Sequence, residues 1–183
     1  MKIFFLRLLF ILSLVFFEFS FFDVLFPRMA APVILIVSIV VWTLLVGFPR
    51  VLYMVIPLSA FFDIASSGSL GSLTLYAVLL SYATSFLSRR LLAEHHGTGM
   101  VLYALFASLG SFGYVVFNLL FGQENSFSWR ADAFTEVFSA VATSKLLLPI
   151  FLSALLFPIL HRVIWRVEAY MSVVAQREIL QVK

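Results

Sequence analysis

Apolar residues run along this chain in long blocks, broken by short polar or proline-containing segments. The blocks are too long for strands and lack the period-two alternation of a half-buried sheet. A helix needs ~20 mostly apolar residues, and as few as ~17, to cross a bilayer. On that measure the pattern predicts six spans. They cover roughly 3–24, 32–48, 50–65, 70–88, 100–121 and about 133–161. Pro32 opens the second, a position where a missing N–H costs nothing. The turn Gly47-Phe48-Pro49-Arg50 closes it, and Ser66-Ser67-Gly68-Ser69 separates the third span from the fourth. Pro57, Pro149 and Pro158 fall inside spans, where membrane helices tolerate proline. The prolines of the sixth are expected to bend it. The expected fold is therefore all-α and polytopic, with a six-span membrane domain over 1–162 and an amphipathic tail over 163–183. The start is a candidate signal peptide by charge. Its apolar run is too long for one and carries Glu18, which favours an uncleaved first span.

Composition agrees with that reading. The chain is 63% hydrophobic and 11% charged, too apolar for a soluble domain of 183 residues to hide inside itself. It has no cysteine, which excludes disulfides, thiolate metal sites and thiol chemistry. The basic residues set the orientation. With the N-terminus in the cytoplasm, nine of the twelve fall inside: Lys2, Arg7, Arg50, Arg89, Arg90, Arg162, Arg166, Arg177 and Lys183. Arg28 and Arg130 fall outside, and Lys145 lies within a span. Both termini are then cytoplasmic. Scattered along loops, these cations do not suggest nucleic-acid binding. In the tail, Ile164, Val167, Met171 and Val174 share one helical face, while Trp165 and Tyr170 suit a headgroup boundary. The expectation is a helix that continues the sixth span and either lies on the inner leaflet or packs on a partner.

Ionisable residues within spans are costly, so each poses a functional question. Glu18, Asp63 and Lys145 are the candidates. An ion pair of Lys145 with Glu18 or with Asp63 would lower the cost of both, as a structural device or as part of a pathway. Asp63 also stands one turn before Ser66, close to the start of the fourth span. A carboxylate there can accept bonds from turn amides or from the Ser66 or Ser69 hydroxyl, and Gly68 and Gly71 permit a tight reversal. His95 and His96 sit in a loop without further ligands, so no metal site is expected. No nucleophile–base–acid set is visible and no cofactor is implied. Small residues at Ala104, Ser108, Gly110, Ser111 and Gly113, and at Ser139, Ala140, Thr143 and Ser144, predict close helix packing.

One stretch carries a family resemblance. It runs from Pro32 through Trp42, then Phe48-Pro49-Arg50-Val51, Phe62-Asp63-Ile64 and Ser67-Gly68-Ser69-Leu70-Gly71. In order and spacing this resembles MreD, the rod-shape-determining membrane protein family of bacteria, over about 32–90. The resemblance implies a non-enzymatic inner-membrane component of the elongasome. Its partners would be the actin-like MreB filament, MreC, RodA and a class B penicillin-binding protein, with membrane lipid around it and homo-oligomers possible. It also implies an architecture similar to the substrate-binding subunits of energy-coupling-factor transporters. A vitamin-type transport subunit is the alternative function. Those subunits are similar in carrying an Ala-x-x-x-Ala pattern on the first span, whereas this chain has no alanine before Asp23. A membrane enzyme acting on lipid-linked substrates, the third option, lacks candidate catalytic groups.

Overall fold

The computed structural model describes residues 2–22, 25, 31–66, 71–91, 99–121 and 144–181. Among them all regular structure is helical. Helix α1 spans Lys2–Phe17 and passes into a turn of wider, π-type winding at Glu18–Phe22. Helices α2 (Val33–Val46), α3 (Leu52–Ala65), α4 (Ser72–Leu91), α5 (Gly99–Phe121) and α6 (Ser144–Gln181) follow. The first five begin and end within a few residues of the hydropathy blocks. The predicted start of the sixth span, with Ser139 and Thr143, lies outside the described residues, as do His95, His96 and the segment 122–132.

Helix α2 is the centre of the bundle. Every residue from Val33 to Thr43 is buried, and α2 touches each of the other five helices. Those five close a ring around it in the order α1, α3, α4, α5, α6 and back to α1. The sequence explains the placement. From Val33 to Trp42 only Ser38 is polar, so α2 has no wet face to present, and a helix apolar all round belongs inside protein or lipid. The ring helices differ. Each points one apolar stripe outward at three- and four-residue steps. The exposed stripes include Phe5, Leu9, Leu12 and Phe16 on α1, and Leu75, Leu79, Tyr82 and Phe86 on α4. Val101, Leu105 and Leu109 form the stripe of α5, and Leu148, Phe151, Leu155 and Ile159 that of α6. The inward faces mix apolar residues such as Leu14, Leu58, Leu73 and Phe157 with small hydroxyl residues: Ser59, Ser81, Thr84, Ser85, Ser108, Ser111 and Ser153 are all buried. Large apolar groups on the outside, with small hydroxyl residues where helices meet, depart from the usual soluble surface. Two helices contain segments long and apolar enough to cross a membrane, Val101–Asn118 and Leu147–Met171; α2 and α3 are shorter apolar helices.

The small residues of α5 allow close approach, as their spacing suggested. Ser111 and Ser153 pair hydroxyl to hydroxyl at 2.5 Å, and the Ser108 hydroxyl reaches the Ile150 carbonyl at 3.1 Å. On the α4 side the Tyr76 hydroxyl donates to the Gly110 carbonyl at 2.5 Å, while its ring packs on Tyr114 and Phe117. A Cβ at Gly113 would stand 2.7 Å from the Tyr76 hydroxyl oxygen, and the surrounding rings leave the phenol little room to swing away. Gly113→Ala is expected to destabilise the fold by about 1–2 kcal/mol, the usual scale of overpacking. Adding Tyr76→Phe removes the obstructing atom, so the double variant should lose less than the two single losses combined. Chemical denaturation of the four proteins measures that coupling; additive losses would disprove the clash.

Helix α6 runs unbroken through Pro149 and Pro158 to Gln181. The tail stripe was expected to face the leaflet or a partner. As far as Met171 it faces the chain's own bundle: Ile164 and Met171 are buried, and α6 packs on α1, α2 and α5. An apolar face buried within the chain removes the same surface from water without a second molecule.

Candidate functional site

The polar groups that matter gather at the two ends of the bundle. At one end, two carboxylates hold helix N-termini. Asp63, in the last turn of α3, is 4% exposed. Its Oδ1 accepts the Leu73 N–H at 3.1 Å, and its Oδ2 accepts the Thr74 N–H at 3.0 Å and the Thr74 hydroxyl at 2.6 Å. Leu73 and Thr74 lie in the first turn of α4, where backbone amides have no partner within the helix and the helix dipole favours negative charge. The approach is made possible by Gly71, whose φ of +88° is a left-handed conformation unfavourable to other residues. The Ser66 hydroxyl was a candidate donor to this carboxylate. It is placed 3.4 Å from the main-chain carbonyl of Asp63 instead, because Ser66 caps the end of α3, where carbonyls lack partners. Gly68 and Ser69 lie outside the described residues.

Glu18 repeats the device. It is 2% exposed, and its Oε2 accepts the Ile34 N–H, in the first turn of α2, at 2.9 Å. So the acid that ends α1 holds the start of α2, and the acid that ends α3 holds the start of α4. The Phe19 and Phe62 rings stack at 4.9 Å and tie the two hairpins together. Lys145 is the second residue of α6; its side chain lies outside the described residues, and with it the expected ion pair.

The opposite end holds a contact that the sequence did not suggest. Glu168 of α6 receives Arg7 of α1 on Oε2 at 3.3 Å and the indole N–H of Trp42 of α2 on Oε1 at 3.2 Å. Trp42 is fully buried, with Phe10 edge-on at 5.7 Å. A buried indole needs an acceptor for its N–H, and Glu168 supplies it. The three residues are separated by up to 161 positions, so no local pattern joins them. The available signal was Glu168 itself, an isolated acid on an otherwise apolar and basic stretch of the tail. Near this end the Phe48 N–H lies 3.4 Å from the Ser85 hydroxyl, and Arg50 and Arg89 are exposed.

Among the described residues no group of three or more His, Asp or Glu is placed to hold a metal ion. What these polar residues do is fix helix ends and join distant helices. No protein-family model, no curated protein and no solved structure matches the chain.

Proposed function

We propose that the chain crosses a bacterial inner membrane six times, with both termini in the cytoplasm, and serves there as a non-enzymatic, MreD-like component of the cell-wall elongation machinery. The observation that carries the family reading is the Asp63 cap. The stretch from Asp63 to Gly71 is where the sequence most resembles that family, and its aspartate binds the first turn of α4 through Leu73 and Thr74. The membrane reading draws on the apolar stripes around the ring, on the small hydroxyl residues buried between helices, and on the gathering of Arg7, Arg50, Arg89, Arg162 and Arg166 toward one end. With Glu18, Asp63 and Glu168 engaged in capping helices and joining them, the bundle is suited to offering surfaces to other membrane proteins. MreC, MreB, RodA and a class B penicillin-binding protein are the proposed partners.

Depletion in a rod-shaped host tests the function. Cells are expected to widen and round as the protein is lost, and to regain rod shape on re-expression. Crosslinking in native membranes should recover MreC-like and cell-wall-synthesis proteins with the chain. Rods that persist through depletion would overturn the reading, as would recovery of an ATPase pair with a bound vitamin.

A further inference from the structure

The outward face of α6 changes character along its length. Leu148, Phe151, Leu155 and Ile159 are exposed on it, and Arg162 and Arg166 continue the same face, exposed and one turn apart. Trp165 and Tyr170 flank the arginines on either side, 56% and 63% exposed. From Leu148 to Ile159 the helix rises about 16 Å at ~1.5 Å per residue. One leaflet of a bilayer has a hydrocarbon depth of about 15 Å, half of the ~30 Å core. An acyl chain lying along the apolar stripe would therefore end where the arginines begin. Neither Arg162 nor Arg166 has a carboxylate partner among the described residues, and the nearby Glu168 is engaged by Arg7 and Trp42. The opposite, inward face of this stretch is closed by Ile164 and Met171 against the bundle. The arginines are thus held outward on an anchored helix.

We propose that this face binds an anionic phospholipid of the inner leaflet, with Arg162 and Arg166 on its phosphate, Trp165 and Tyr170 at the headgroup boundary, and the stripe from Leu148 to Ile159 along an acyl chain. Charge complementarity favours an anionic lipid over a zwitterionic one, and guanidinium groups suit phosphate oxygens. The continuous apolar stripe leading into the arginines favours a lipid over free phosphate. The inference rests on the reading that the chain spans a membrane.

The test uses the full chain reconstituted in vesicles of phosphatidylcholine alone or mixed with phosphatidylglycerol. Alkaline extraction first reports insertion. Native mass spectrometry of the detergent-released protein then counts retained lipids. The expected result is insertion in both vesicle types and preferential retention of phosphatidylglycerol. Arg162→Gln/Arg166→Gln should reduce that preference by up to roughly thirtyfold, since each basic residue near the surface contributes on the order of fivefold in affinity for anionic lipid. Arg50→Gln, elsewhere on the same end, should retain it. Insertion without a phosphatidylglycerol preference, or a preference unchanged in the double variant, overturns the lipid site alone. Extraction of the protein from both vesicle types overturns the membrane reading and the site with it.

Discussion

Asp63→Ala is expected to cost about 3 kcal/mol of stability, the largest loss from any single side chain at the capped end. The estimate combines the loss of a helix cap, ~0.5–2 kcal/mol, with the ~1–3 kcal/mol of leaving a buried polar group unsatisfied. Both apply because the carboxylate serves the amides of Leu73 and Thr74 and the Thr74 hydroxyl at once. Asp63→Asn should fall between alanine and wild type: its amide oxygen can accept both Thr74 donors, while its NH2 would meet the Leu73 N–H. Asp63→Glu adds a methylene where the carboxylate is already in contact and should not restore the wild-type value. Chemical denaturation of purified protein measures all three. A change below ~0.5 kcal/mol for Asp63→Ala, the range of ordinary surface substitutions, would mean that α4 is held in place by packing alone.

The second large effect is expected at Glu168. Replacing it with alanine leaves the Trp42 N–H buried without an acceptor and frees Arg7. The Arg7 side chain is 38% exposed, so solvent screens that ion pair and its share is small. The indole is fully buried, so the orphaned N–H should account for most of an overall loss of about 1–2 kcal/mol. Glu168→Gln keeps an acceptor for the indole and should recover much of that loss; Arg7→Ala should cost less than Glu168→Ala. Denaturation midpoints rank the three. If Arg7→Ala proved as damaging as Glu168→Ala, the ion pair would dominate instead. Limited proteolysis adds a local readout, because loosening α6 at Glu168 should speed cleavage beyond Met171.

Helix positions were largely legible because hydropathy alone sets them: α2 to α5 differ from the predicted blocks by only a few residues at their ends. The role of Asp63 at the head of α4 was legible too, since an acid, a turn and a helix start lie within ten residues. Glu18 was harder. As an acid within a predicted span it suggested a partner of opposite charge. Its Oε2 accepts an amide sixteen positions on, and Pro32 at the start of α2 was the hint that a helix N-terminus stood near. The Arg7–Trp42–Glu168 junction was not legible, because it joins three helices that only the folded bundle brings together. Nor was the central position of α2. In a membrane-type sequence, uniform apolarity fits a helix facing lipid as well as one enclosed by protein.

That double compatibility has a consequence for biogenesis. Helix α2 precedes α3, α4, α5 and α6 along the chain, yet these later helices cover most of it. On the proposed reading it must first reside in lipid and only afterwards exchange lipid for protein. Its Val- and Ile-rich surface suits both surroundings, and Thr43 turns its hydroxyl back onto the Ile39 carbonyl at 2.7 Å, so that side chain needs no neighbouring helix. The hydroxyl-bearing faces belong mainly to α4, α5 and α6, the helices that arrive with partners already present. The Trp42 indole is the group that must wait, because its acceptor, Glu168, arrives only with α6.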